Sequence, residues 1–192
     1  MASKRASGEY TALVSAAQTS SAPQIAVYPG SFDPITTGHV DIAERASRIF
    51  SRVIVAIGTH PTKRGFLSIE DRVRLVRQST GHLSNIEVMA FEGLVVEFCR
   101  RRGASVIVRG MRAVGDFDAE FRMGLANRDL APEIETVFML PQPQQQFVSS
   151  SLVREIAFHG GNFDSYVPAC VSEELKKRAA RGDDAISSRG DD

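Results

Sequence analysis

The chain has 192 residues, 43% of them hydrophobic, the composition of one ordinary globular domain. Lysine plus arginine and aspartate plus glutamate both number 23, so no overall basic charge marks a nucleic-acid binder. No apolar run reaches the roughly 20 residues of a membrane span, and the two cysteines (Cys99, Cys170) and four histidines (His39, His60, His82, His159) lack metal-ligand spacing, which argues against zinc.

Two thiols in a chain of this length suit a reducing, cytoplasmic setting. Residues 1–23 are rich in Ser and Ala, without the apolar core of a secretory signal. Lys4, Arg5 and the small residues around them resemble an organelle transit peptide, but Glu9 and the lack of amphipathic arginines speak against one. The expected organisation is a disordered extension (1–23), one domain (24–180) and a disordered acidic tail (181–192).

Within the domain, Ile25–Tyr28 reads as a β-rich run ended by Pro29-Gly30. From His39 the residues Ile42, Ala43, Ala46, Ile49 and Phe50 follow helical spacing, with Asp41 and Glu44 expected in the first turn, where the helix dipole favours acids. "RVIVAIG" (52–58) is an apolar run of strand length, which suggests burial on both faces. Ser68 and Asp71 form a capping-box pattern for a helix through Ile69, Val73 and Val76. "IEVMAF" is a further strand, and Leu94–Arg102 a helix closed by Gly103. "SVIVRG" is the next strand, and Asp116 is placed to cap a helix carrying Phe117, Phe121 and Leu125 that ends before Pro132. "TVFML", the loop "PQPQQQFV" and a Ser-initiated helix stopped by Gly160-Gly161 come next.

Strand and helix thus alternate five times. The pattern predicts an α/β fold, a doubly wound, Rossmann-like parallel sheet of five strands with helices on both faces. Ligands of such sheets bind beyond the carboxyl ends of the strands, which points to loops 29–39, 59–66, 91–95, 109–116 and 141–151.

Four of these loops carry residues suited to phosphate. "YPGSFDPITTGH" brings backbone amides around Gly30-Ser31 and an imidazole, His39, to a helix start, where N–H groups and the dipole attract anions. The same pattern also makes a plain helix cap. Lys63 and Arg64 sit in "THPTKRGF", either solvated or bound to an anion. Arg109 ends an apolar strand and needs a partner for its guanidinium, either an ion pair within the protein or a ligand, and Arg112 comes three residues later. Glu120 has no helical ion-pair partner, with Asp116 before it and Gly124 after, and reads by default as a surface glutamate. Ser149, Ser150 and Ser151 can cap a helix or present hydroxyls and amides together as an anion cradle. No GxxxxGK[ST] or GxGxxG motif is present.

These segments resemble a known family. "YPGSFDPITTGH", with TxGH at Thr36–His39, and "VSSSLVRE" are similar to the two signatures of the nucleotidyltransferase superfamily, the second of ISSTxxR type. "HPTK" and "IVRGMRAVGDFDAE" narrow the resemblance to bacterial phosphopantetheine adenylyltransferases, in register from about Ile25 to Ala179.

The resemblance implies transfer of the adenylyl group of ATP to 4′-phosphopantetheine with Mg²⁺, giving dephospho-coenzyme A and pyrophosphate in a cytoplasmic homohexamer. Carried over by position, Ser31 contacts both substrates, Phe32 contacts the nucleotide, and His39 stabilises the transition state. Lys63, Val95 and Arg109 match acceptor contacts. Gly110, Met111, Arg112, Glu120, Gln145, Gln146, Phe147, Val148, Ser149, Ser150 and Ser151 match ATP contacts, with His39, Lys63 and Arg112 as the catalytic set. Ser31 and Ser151 stand where threonine is frequent and keep the hydroxyl; Val148 replaces isoleucine. The Gln144-Gln145-Gln146 stretch is an unusual adenine-side edge. The rival readings are a nucleotidyltransferase with another phosphorylated acceptor, such as nicotinamide mononucleotide, and a non-catalytic nucleotide sensor on the same fold.

Overall fold

A computed structural model describes residues 24–59, 65–112 and 114–181. The two tails and Lys63, with its neighbours from His60 to Arg64, lie outside the described residues, as does Ala113; so do the side chains of 114–116.

Five strands form one parallel sheet in the order β3-β2-β1-β4-β5: β1 (Ile25–Gly30), β2 (Arg52–Gly58), β3 (Ile86–Phe91), β4 (Val106–Gly110) and β5 (Glu135–Met139). β1 pairs with β2 from Ile25↔Arg52 to Gly30↔Ile57, and with β4 at Ala26↔Val106 and Val27↔Ile107. β1 therefore continues through Pro29-Gly30, which the sequence places in a turn; parallel pairing with Ala56 and Ile57 outweighs the missing proline N–H.

Side chains alternate across the central strands, and each set has its own core. Ala26, Tyr28, Val53, Val55, Ile57 and Val108 face α1 (Thr37–Ile49), α2 (Ile69–Thr80), α5 (Ser150–Phe158) and α6 (Ala169–Arg181). Val27, Ile54, Ala56 and Ile107 face Val96, Phe98 and Cys99 of α3 (Val95–Arg102). Covering both faces is what makes these strands read as unbroken apolar runs. Burial pushes the Cys99 thiol up to about 12, so it acts as a small apolar filler.

Helix ends follow local chemistry, with three departures from expectation. α1 begins at Thr37 with Thr36 as its cap, so Asp41 and Glu44 lie beyond the first turn; Asp41 is buried and pairs with Arg45 at 2.9 Å. Ile49 points outward, 66% exposed. α4 spans Val114–Leu130, which puts Asp116 inside the helix and not at its cap. The third departure is α6, which comes after Gly160-Gly161 with no strong start signal. It is held by burial of Val171 and Leu175, and by Glu174 and Arg178 paired with Arg74 and Asp71 of α2. Ser68 and Ser149 cap α2 and α5 as expected, and Gly103 closes α3 in the left-handed region at φ 64°.

Ile54, fully buried in β2, tests the smaller core. Ile54→Ala should cost about 2–5 kcal/mol, from lost burial plus the cavity left behind, measured by urea unfolding. A loss under half a kcal/mol would contradict the packing described.

Candidate active site

The strand order reverses between β1 and β4, and the crevice at their carboxyl ends is where ligands of such sheets bind. A cleft of about 190 Å³ opens there. Of the residues expected at a site, Ser31, Phe32, His39, Arg109, Gly110, Arg112, Glu120 and Val148 line it together. Tyr28, Pro29, Gly30, Thr36, Gly38, Ile42 and Pro141 complete the wall. Gly110 approaches α1 closely: a Cβ there would lie 2.5 Å from the Ile42 methyl, and that buried side chain would have to shift.

His39 is the third residue of α1, and its ring closes the cap. The Thr36 backbone N–H donates to His39 Nδ1 (3.0 Å), the His39 N–H donates to Thr36 Oγ1 (3.4 Å), and that hydroxyl lies 2.9 Å from Nδ1. A backbone N–H can only donate, so Nδ1 is an acceptor and the ring proton sits on Nε2. The Phe32 ring meets the imidazole edge to face, with centroids 5.2 Å apart. Burial, together with the positive charges of Arg112 and Arg109, holds the imidazole pKa down to about 4. At neutral pH His39 is thus an uncharged Nε2–H donor, and the helix-cap and ligand readings of its motif are compatible.

Arg109 is clasped by Glu120: Nε and Nη2 donate to the two carboxylate oxygens at 2.7 and 2.6 Å, and Nη1 donates to the Pro29 carbonyl at 3.0 Å. Glu120 is therefore not a surface glutamate; its partner comes from β4, outside its own helix. Arg112 Nη1 donates to the Val148 carbonyl at 3.0 Å, tying the loop after β4 to the loop after β5. The Tyr28 phenol is pushed above its usual range by burial.

Other expected residues lie outside the cleft wall. Val95 packs against the apolar cluster that includes Phe98. The Met111 N–H extends the sheet to the Met139 carbonyl at 3.0 Å. Gln145 belongs to a short 3₁₀ turn, Pro143–Gln145, with its buried Oε1 unpartnered among the described residues, and Gln146, next in the chain, is exposed. Phe147 is exposed, edge to face with Tyr166.

The three serines do not form a common cradle. Ser149 Oγ caps α5 by accepting from Leu152 N–H (3.0 Å), Ser150 Oγ donates to the Pro34 carbonyl (2.8 Å), and Ser151 Oγ accepts from Arg154 (3.2 Å). Helix geometry turns successive side chains in different directions, so the three hydroxyls do not converge on one point. Asp33 and Arg154 stand within the two quoted signatures, Arg154 as the arginine of the ISSTxxR type, and with Arg72, which lies in neither, they form a cluster behind the cleft. Arg72 could have been found, because its spacing from Ile69 and Val76 places a charge on the inward face of a helix.

Glu120 is the one carboxylate among the described residues lining the cleft, and no group of three or more His, Cys, Asp or Glu among the described residues could hold a metal ion. The donor set suits anions; a Mg²⁺ ion there would take its ligands from phosphate and water.

Comparison with known proteins places this chain in a family. The cytidylyltransferase-like family matches residues 27–156. Phosphopantetheine adenylyltransferase of Heliobacterium modesticaldum is 49% identical over 154 residues, covering 80% of this chain and 92% of the relative. That of Synechococcus sp. (strain JA-2-3B'a(2-13)) is 53% identical over 154 residues, covering 80% and 97%. The chain belongs to the phosphopantetheine adenylyltransferase family. The crystal structure of a putative nicotinate-nucleotide adenylyltransferase from Vibrio parahaemolyticus superposes with a TM-score of 0.64 at 17% identity, covering 88% of this chain and 98% of that one; at such identity it supports the fold alone.

The charge state of His39 is directly measurable. Its folded pKa lies below the ordinary value of 6.5, so the unfolded chain binds the extra proton first and stability falls as pH drops from 6.5 towards 4. The His39 ring resonances should titrate with a midpoint near 4 by NMR; a midpoint at 6 or above would overturn the neutral-donor assignment.

Proposed function

We propose that the cleft transfers the adenylyl group of ATP to 4′-phosphopantetheine, giving dephospho-coenzyme A and pyrophosphate. Family membership at about half identity supports the reaction. The observation that carries its assignment to this cleft is the convergence of His39, Arg109, Arg112 and Ser31 where β1 and β4 diverge.

The acceptor is a phosphate monoester with a second pKa near 6, dianionic at neutral pH and nucleophilic without a general base. One of its oxygens attacks the α-phosphorus of ATP in line. The bond to the bridging oxygen breaks, and the electron pair leaves with pyrophosphate; no proton need move. What the protein must supply is alignment of two polyanions and donors for the charge developing on the phosphoryl oxygens. His39 Nε2–H and the amides of the loop after β1 meet that need, with Ser31 facing both substrates and Phe32 the nucleotide.

Arg109, with Val95 and Lys63, takes the acceptor side. Gly110, Met111, Arg112, Glu120 and the segment Gln145–Ser151 take ATP, with His39, Lys63 and Arg112 easing the transition state. Bound to the triphosphate, Mg²⁺ would supply further charge neutralisation. The enzyme works as a cytoplasmic homohexamer in this reading. Supporting oligomerisation, α4 exposes Phe117 and Phe121, stacked at 5.5 Å, together with Met123, Leu125 and Leu130. For its location, no helix among the described residues is long and apolar enough to cross a membrane, and Cys99 and Cys170 are unpaired.

With ATP and Mg²⁺, 4′-phosphopantetheine should release pyrophosphate, whereas pantetheine, which lacks the nucleophilic phosphate, should release essentially none. Nicotinamide mononucleotide as the better acceptor would replace the substrate; no release with any phosphorylated acceptor would favour a sensor. In the same assay His39→Ala should lower kcat by roughly 10²–10³, the scale for one preorganised donor, with a smaller change in KM. Lys63→Ala should cost about two decades, as for other transition-state cations.

A further inference from the structure

Behind the cleft lies a polar cluster built on Asp33 and Arg72. Arg72 of α2 is only 7% exposed and Asp33 only 6%. Their side chains meet at 3.1 Å. Asp33 accepts the backbone N–H groups of Phe66 and Leu67, each at 2.7 Å. Arg72 donates through Nε to the Leu67 carbonyl (2.9 Å) and through Nη1 to the Ser31 carbonyl (3.4 Å). Two loop segments, after β1 and before α2, are thus fixed to one guanidinium–carboxylate pair.

The Ser31 carbonyl matters because it sets the orientation of the Phe32 amide. In a planar trans peptide, C=O and the next N–H point in opposite directions. A Ser31 carbonyl held by Arg72, which does not line the cleft, turns the Phe32 N–H away from Arg72. Phe32 itself sits at φ 47°, a left-handed conformation that costs a non-glycine residue about 1–2 kcal/mol and needs outside support. Its ring is fully buried and packs on both Tyr28 (5.4 Å) and His39 (5.2 Å). The peptide plane and the ring that braces His39 are set by the same residue.

We infer that Arg72, anchored by Asp33, is a positioning residue for adenylyl transfer: it fixes the Ser31–Phe32 peptide so that the Phe32 N–H and the His39 ring address the phosphates together. This deepens the proposed function and rests on it. Lysine cannot replace arginine here, because a single ammonium cannot reach Asp33, Leu67 and Ser31 at once. Gly65 supplies a second handle. A Cβ at Gly65 would lie 1.2 Å from Arg72 Nη2 and 2.9 Å from an Asp33 oxygen, so alanine must displace the guanidinium while both charges remain.

The test uses the full chain with Arg72→Lys and, separately, Gly65→Ala, compared with the parent at a temperature where thermal melts show all three folded. Pyrophosphate release from ATP and 4′-phosphopantetheine gives kcat and KM, and ¹H–¹³C NMR tracks the His39 and Phe32 rings without substrate. Both variants should lose roughly 10- to 100-fold in kcat, the scale of misplacing a catalytic group by up to about 1 Å, with KM within about threefold. Both should also shift the His39 and Phe32 ring signals. Folded variants with parental kcat and unshifted ring signals would overturn the inference, as would a kcat loss with both rings unmoved. If the parent itself releases no pyrophosphate, the adenylyl-transfer reading fails instead, and the ring signals alone decide whether Arg72 sets this loop.

Discussion

A phosphate site made from backbone has to keep its carbonyl oxygens away from the ligand, and that constraint organises this molecule. At the end of β1 and in the loop after it, the carbonyls of Pro29, Ser31, Asp33 and Pro34 are each taken by a donor from elsewhere: Arg109, Arg72, Arg154 and Ser150. Those donors come from β4, α2 and α5. The loop therefore has its working shape only when the sheet and the helices of its larger core are assembled, which links the fold directly to the chemistry.

The same network limits how positive the cleft can be. Arg109 shares its charge with Glu120, and burial, with the positive charges of Arg112 and Arg109, keeps His39 neutral. A neutral donor suits adenylyl transfer. An imidazolium would hold both the ground-state triphosphate and departing pyrophosphate tightly, and only interactions that strengthen in the transition state raise kcat. The reciprocal cap between Thr36 and His39 fixes the tautomer and ring angle before substrate arrives, so little reorganisation remains at the moment of reaction.

Much of this is legible in the sequence because it is local. Unbroken apolar runs mark the strands, Ser68, Ser149 and Gly103 mark helix ends, and TxGH marks the cleft. The illegible part depends on residues distant in sequence. Glu120 has no partner on its own helix, and only the placement of α4 against the end of β4 brings it to Arg109. The serine triplet reads as one cradle, but helical rotation and the approach of the β1 loop send the three hydroxyls to three different partners. The start of α1 is ambiguous because the cap residue, Thr36, stands within a run of two threonines, both able to cap. α6 lacks a start signal and is helical because α2 offers an apolar strip and paired charges to receive it.

Why a buried ion pair sits at the centre of this arrangement can be argued from cost. Removing Asp33 and Arg72 from water is expensive, and apolar residues of similar volume would give comparable or greater stability. They could not, however, satisfy two backbone N–H groups and two carbonyls in loops that have no ladder partners. Irregular backbone beside a ligand site leaves polar groups that regular structure would have consumed, and a guanidinium facing a carboxylate answers both kinds at fixed angles. Gly65 is then a steric requirement of that pair, since any side chain there would occupy the space of the guanidinium. The left-handed Phe32 is tolerable for the same reason: its strain is borne by a buried ring and a pinned peptide, leaving its N–H oriented before any phosphate arrives.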